Sequence, residues 1–211
     1  MDFCKTLSDV GILPVICLKN EEELNTFEAA ISETPIKCFE ITMRHQFSYN
    51  AIRHFKEKYP QFIVGAGTVT DPDILNAVAD IGVDFCVSPG FDEKMITQAQ
   101  NKKIPFIPGC ATPSEILNAQ CAGLKTVKLF PAECMGGVAA LKLYASAFQG
   151  ISFLPTGGIT LDNFRSYISC VNVLACGGSF MIPKDMLEKR DAQGIRDTIN
   201  KCIEAAKEIR K

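Results

Sequence analysis

Short apolar runs rich in β-branched residues alternate along this chain with longer stretches whose apolar positions recur at helical spacing. The runs fall at 14–18, 36–42, 62–67, 84–88, 105–107, 126–130, 152–156 and 173–176. They are apolar on both phases, as in Phe62-Ile63-Val64 and Val173-Leu174-Ala175, which is the pattern of parallel strands covered on both faces. Between them the stretches 21–32, 49–58, 72–81, 93–101, 113–122 and 137–145, followed later by 161–168, are amphipathic, and each can cover the outside of a sheet. Asp71 before Pro72 and Thr112 before Pro113 read as helix starts, and Thr160 opens the stretch that contains Asp162.

Strand, turn and helix repeated in this order predict successive βα units. Eight such units predict an α/β fold, a closed (β/α)8 TIM barrel. An open doubly wound sheet shares the same grammar, but the number of units and the lack of a G-x-G-x-x-G after the first strand favour the barrel. Further helices are expected at 2–9, an extra N-terminal helix, and at 191–210. With 211 residues and no linker or low-complexity tract, a single domain over 1–211 is expected.

Composition narrows the class. Hydrophobic residues make up 47% and charged residues 22%, ordinary for a globular domain, and no apolar run is long enough to span a bilayer. The N-terminal Met1-Asp2-Phe3-Cys4-Lys5 has neither the basic nor the apolar region of a secretion signal, so a cytoplasmic location and no membrane partner are expected. The 10 cysteines are scattered with no C-x-x-C pair and read as small buried hydrophobes. Acidic and basic residues are mixed, 24 against 22, for a net charge of −2, which argues against nucleic acid as a partner.

Against this background, charges inside apolar runs stand out. Lys128 lies within Thr126-Val127-Lys128-Leu129-Phe130. Burying an ammonium is costly, and desolvation lowers the pKa of a lysine so that its neutral amine becomes available. At the C-terminal end of a barrel strand such an amine suits a Schiff-base role; the bland alternative is a lysine that snorkels to the rim. Glu40 interrupts a second run, and alternation puts Cys38, Glu40 and Thr42 on one face. If that face is inward, Glu40 can meet Lys128 across the barrel, either as a structural ion pair or as the proton shuttle that imine chemistry requires. Arg44 ends the same run, where its guanidinium could hold a carboxylate with two parallel hydrogen bonds.

Near the end of the chain, Pro155-Thr156-Gly157-Gly158-Ile159-Thr160 and Cys176-Gly177-Gly178-Ser179 follow the last two predicted strands. These are the places where barrels bind phosphate through backbone amides. Gly65-Ala66-Gly67-Thr68 and Ser88-Pro89-Gly90 end the third and fourth strands and read equally as plain turns.

Six segments together carry a resemblance: Phe39-Glu40-Ile41-Thr42-Met43-Arg44, Gly65-Ala66-Gly67-Thr68-Val69, Ser88-Pro89-Gly90, Val127-Lys128-Leu129-Phe130-Pro131-Ala132-Glu133, Pro155-Thr156-Gly157-Gly158-Ile159 and Gly177-Gly178-Ser179. In their order and spacing the chain resembles the aldolases of 2-keto-3-deoxy-6-phosphogluconate (KDPG) and 4-hydroxy-2-oxoglutarate (KHG), nearly end to end. The resemblance implies a homotrimeric barrel that splits KDPG into pyruvate and glyceraldehyde 3-phosphate, the last step of the Entner–Doudoroff pathway. Many relatives also cleave KHG to pyruvate and glyoxylate. It implies Lys128 as the imine-forming residue and Glu40 as the acid/base, acting partly through water, with no cofactor or metal. Arg44, Thr68 and Pro89 would grip the pyruvoyl carboxylate, Phe130 would line the pocket, and Thr156 would contact the substrate hydroxyl. Gly157, Gly158, Gly178 and Ser179 would receive the phosphate. His45 and Cys134 lie beside motif residues with no assigned role.

Two other readings stay open at this point. A sugar-phosphate isomerase or epimerase would use the same glycine loops, although metal-dependent ones need histidine ligands and only His45 and His54 are present. A non-catalytic phosphosugar-binding barrel would need neither Lys128 nor Glu40.

Overall fold

The computed structural model describes residues 3–210. Helix α1 (Phe3–Val10) leads into strand β1 (Ile12–Ile16), and then helices and strands alternate: α2 (Glu21–Ile31), β2 (Cys38–Thr42), α3 (Ser48–Lys58), β3 (Ile63–Gly67), α4 (Pro72–Ile81), β4 (Phe85–Val87) and α5 (Glu93–Asn101). Two short strands, β5 (Phe106–Ile107) and β6 (Gly109–Cys110), precede α6 (Pro113–Cys121), β7 (Thr126–Leu129), a 3₁₀ turn (Glu133–Met135), α7 (Gly137–Ala147) and β8 (Ser152–Phe153). The chain closes with α8 (Phe164–Ile168), β9 (Cys176–Gly178), α9 (Lys184–Glu188) and α10 (Ala192–Ile209). Of the N-terminal helix expected at 2–9, Asp2 lies outside the described residues.

Capping chemistry sets several helix starts, because the first amides of a helix have no partner within it. Asp71 accepts from the amides of Asp73 and Ile74 ahead of Pro72. Thr112 and Glu115 form a reciprocal capping box ahead of Pro113. Thr160 exchanges the same kind of bonds with Asn163 (2.8 and 3.3 Å), but the stretch expected to be helical from 161 turns first and α8 begins only at Phe164.

Every strand pair is parallel. The order β5-β4-β3-β2-β1-β9 forms a six-stranded curled sheet, and β6-β7-β8 forms a three-stranded one. This departs from eight continuous strands in one sheet. The expected fifth strand, 105–107, is β5, and beyond Pro108, which cannot donate to a ladder, an unexpected short strand, β6, joins the other sheet; the seventh strand stops at Phe153, ahead of Pro155. The two sheets meet at isolated parallel bridges, Phe153 with Val173 and Thr156 with Gly177. The last strand also sits later than expected, so that Gly177 and Gly178 belong to β9 itself.

Two apolar clusters result. The larger lies between the sheets and the helices; in it Phe39 packs edge-on against Phe27 and Phe55, ring centroids 5.3 and 4.9 Å apart. The smaller gathers Leu13, Cys38, Ile63, Phe85, Val87, Ile107, Leu154 and Ala175 from successive strands, with Leu7 of α1 beneath them. Phe3 lies against Phe85 at 4.2 Å between centroids, so α1 plugs one end of the curl.

The cysteines depart in part from the expected burial: six are buried, Cys17 is intermediate, and Cys4, Cys121 and Cys134 are exposed. Burial pushes the Cys86 and Cys110 thiols up to about 12, which keeps them protonated. Among the described residues no helix is long and apolar enough to cross a membrane.

Candidate active site

The inner face of β2 carries Cys38, Glu40 and Thr42 in alternation, as a pleated strand requires. Cys38 joins the small apolar cluster; the next two positions toward the strand's end are polar and buried, Glu40 at 1% exposure and Thr42 at 3%. Neighbouring β3 makes room for them with glycine. Gly67 faces the Glu40 carboxyl so closely that any Cβ there would overlap Oε1, and Gly65 accepts the Phe85 ring in the same way.

From β7, Lys128 points to the same place. Its Nζ stands 3.9 Å from Glu40 Oε1, with both side chains nearly inaccessible, and 5.3 Å from the centroid of Phe130, within cation-π range. At 3.9 Å the pair attracts without a hydrogen bond, so both groups keep bonding capacity for a ligand. Both carboxylate oxygens of Glu40 and Oγ1 of Thr42 lack any hydrogen-bond partner among the described residues. Native proteins rarely leave buried polar atoms in that state outside functional sites. Burial raises the Glu40 carboxyl above its ordinary range, while the positive charges of Lys128 and Arg44 pull it back; desolvation wins.

These groups open into a cavity of about 440 Å³ whose lining includes Glu40, Arg44, Lys128, Phe130, Thr156, Gly157, Gly158, Gly178 and Ser179. Nine of the eleven site residues expected from the sequence thus share one cavity. Gly157 and Gly158 adopt φ of 95° and 80°, a left-handed region natural to glycine. Thr156 is pinned against Gly177, where a Cβ would come within 2.6 Å of its Oγ1.

The remaining two, Thr68 and Pro89, lie just beyond β3 and β4 and are not in the cavity lining. Thr68 holds φ at 58°, an uncommon conformation for a β-branched residue; it turns the chain so that the Val69 amide reaches the Val87 carbonyl at 3.1 Å.

The sequence reading missed one wall. Cys17, Lys19 and Glu23 after β1, and Ile182, Lys184, Leu187 and Glu188 around α9, also line the cavity. The first strand ends at Ile16, two residues earlier than expected, which puts Cys17 and Lys19 on the rim. The signal for α9 was Pro183 ahead of a short mixed stretch. Among the described residues no group of three or more His, Cys, Asp or Glu side chains is placed to hold a metal ion.

Comparison with known proteins gives this site its context. The profile of the KDPG and KHG aldolase family matches residues 4–198. The KHG/KDPG aldolase of Escherichia coli is 39% identical over 196 residues, covering 93% of this chain and 92% of that protein. The 2-dehydro-3-deoxy-phosphogluconate aldolase of Dickeya dadantii is 38% identical over 195 residues, 92% of each chain. Among solved structures, KDPG aldolase from Legionella pneumophila, with pyruvate captured at low pH as a covalent carbinolamine intermediate, superposes with a TM-score of 0.90 at 29% identity, covering 94% of this chain and 97% of that one. On these matches, which run over nearly the whole chain, it belongs to the KDPG and KHG aldolase family.

Proposed function

We propose that Lys128 is the imine-forming residue of this enzyme and Glu40 its general acid/base. The chain is a class I aldolase, a carbon-carbon lyase that cleaves KDPG to pyruvate and glyceraldehyde 3-phosphate. The observation that carries the assignment of roles is the buried Lys128–Glu40 pair at 3.9 Å, with both Glu40 oxygens unpartnered.

The chemistry follows from that pair. The Lys128 amine adds to the ketone carbon, and loss of water leaves an iminium that draws electrons from the carbon-carbon bond one carbon further along, between the neighbouring carbon and the carbon bearing the hydroxyl. Glu40 takes the proton of the hydroxyl beyond that bond as it breaks, releasing the phosphorylated aldehyde and leaving an enamine. Protonation of the enamine carbon and hydrolysis of the imine give pyruvate and the free amine. A carboxyl raised by burial suits this alternation, since it holds its proton more tightly than an ordinary glutamate and can both give and take one.

Arg44, with Thr68 and Pro89 at the neighbouring strand ends, grips the pyruvoyl carboxylate, and Phe130 packs beside the imine. Thr156 contacts the substrate hydroxyl. Gly157, Gly158, Gly178 and Ser179 receive the phosphate; their shared position on the cavity wall supports this. The bridges between Phe153 and Val173 and between Thr156 and Gly177 support a (β/α)8 barrel closed across the two sheets, and the length of the family match supports a single domain. A homotrimer is part of the same proposal; exposed Leu117 on α6 and Leu143 on α7, at 52% and 71%, offer apolar surface for it.

Replacing Lys128 with Ala tests the role assignment. Pyruvate release from KDPG should fall to background while circular dichroism stays that of the wild type; retained cleavage would remove the imine. Initial rates on KDPG, its galactonate epimer and KHG rank the substrates.

A further inference from the structure

The loop after β7 and the glycine turn after β8 are tied together by one carboxylate outside the cavity lining. The Ala132 and Glu133 amides donate to the Thr156 and Gly157 carbonyls at 2.9 and 3.1 Å. Glu133 Oε2 accepts from the Tyr167 hydroxyl at 2.5 Å and from Asn163 Nδ2 at 3.3 Å. The same Asn163 amide group donates to the Gly158 carbonyl at 3.0 Å. Gly158 packs against the stem of Glu133, where a Cβ would come within 2.5 Å of Glu133 Cβ. Tyr167 is 1% exposed; burial, then its bond to Glu133, raise its hydroxyl well above the ordinary range, so it remains a donor.

We infer that Glu133 is a positioning residue for phosphate recognition, holding the Gly157-Gly158 turn in its left-handed conformation through Asn163 and Tyr167. The inference rests on the assignment of that turn to the phosphate. A backbone anion site depends on the orientation of its amides, and two consecutive glycines are the least able to keep one unaided. Glu133 supplies the restraint without touching the ligand.

The test compares a phosphorylated substrate with a phosphate-free one on the full-length enzyme. Glu133→Ala should raise KM for KDPG about tenfold and weaken competitive inhibition by inorganic phosphate to a similar extent. The half-saturating pyruvate concentration for borohydride inactivation should stay within about twofold of wild type. Glu133→Gln keeps an acceptor for both donors and should restore KM to within about threefold; Tyr167→Phe, which removes one donor, should fall between. These milder variants keep the test intact if Glu133→Ala does not fold. An unchanged KM for KDPG, or a pyruvate requirement that rises in step with it, would overturn the role. If inorganic phosphate inhibits the wild type and all variants equally, only the role of Glu133 falls. If it does not compete even with the wild type, the phosphate turn itself is misassigned, and the inference falls with it.

Discussion

A buried carboxyl without a hydrogen-bond partner destabilises the fold that holds it, and Glu40 is such a group. Its raised pKa means that the folded chain binds this proton more tightly than the unfolded chain. Stability therefore falls as pH rises from the ordinary glutamate value of about 4.3 through the higher folded value. Glu40→Gln removes that loss, so at pH about 8 the variant should melt above the wild type, while cleavage drops by roughly 10²–10⁴-fold. The acid limb of kcat/KM should lie above the ordinary glutamate range in the wild type and vanish in the variant. Thermal melts and pH-rate profiles check both; a lower melting temperature at that pH would contradict the direction. Gly67→Ala drives a methyl into the same carboxyl and should cost about 1–3 kcal/mol in a chemical melt, along with activity. Lys128 and Glu40 were legible in the sequence because a charge amid apolar neighbours demands an explanation. The reason for Gly67 was not, since it depends on a side chain from the next strand.

Several helices were readable almost to their ends, because an amphipathic pattern meets a local side-chain cap there. Asp71 and Thr112 satisfy the amides of their own helices, and such bonds are written in three or four consecutive residues. Thr112→Ala should accordingly cost about 1 kcal/mol and leave KM and kcat unchanged, as denaturant melts and cleavage assays can show. Strand ends were less readable. Where β1 stops is decided by pairing with β9 on one side and β2 on the other, and neither partner is local. Helix α9, at five residues, is too short to show a period, so the cavity wall it builds with Lys184 and Leu187 stayed hidden. Thr160 exchanges cap-like bonds with Asn163, but the residues between them form a turn and α8 starts only at Phe164.

The order of βα units predicted a closed (β/α)8 barrel; its parallel strands and central core are there, the core being the inner cluster from Leu13 to Ala175, while the strands divide between two sheets. The ends of the chain are joined by a contact that no pattern foretold. Arg210 donates to the carbonyls of Ser8, Val173 and Leu174 at 2.5, 2.8 and 2.8 Å, tying the end of α10 to α1 and to the approach to β9. Arg210→Ala should lower stability by about 2–3 kcal/mol and leave the cleavage rate of the folded enzyme unaltered, measured by melts and by assays well below the midpoint. Sedimentation equilibrium should give a particle of three times the chain mass; a monomer would refute the trimer. In the proposed mechanism this scaffolding serves one amine, that of Lys128. The most direct test of its role is borohydride reduction in the presence of pyruvate, followed by peptide mass mapping. The account predicts loss of activity and one added pyruvate-derived group, located on Lys128. An unmodified Lys128, or the adduct on Lys19 or Lys184, would contradict it.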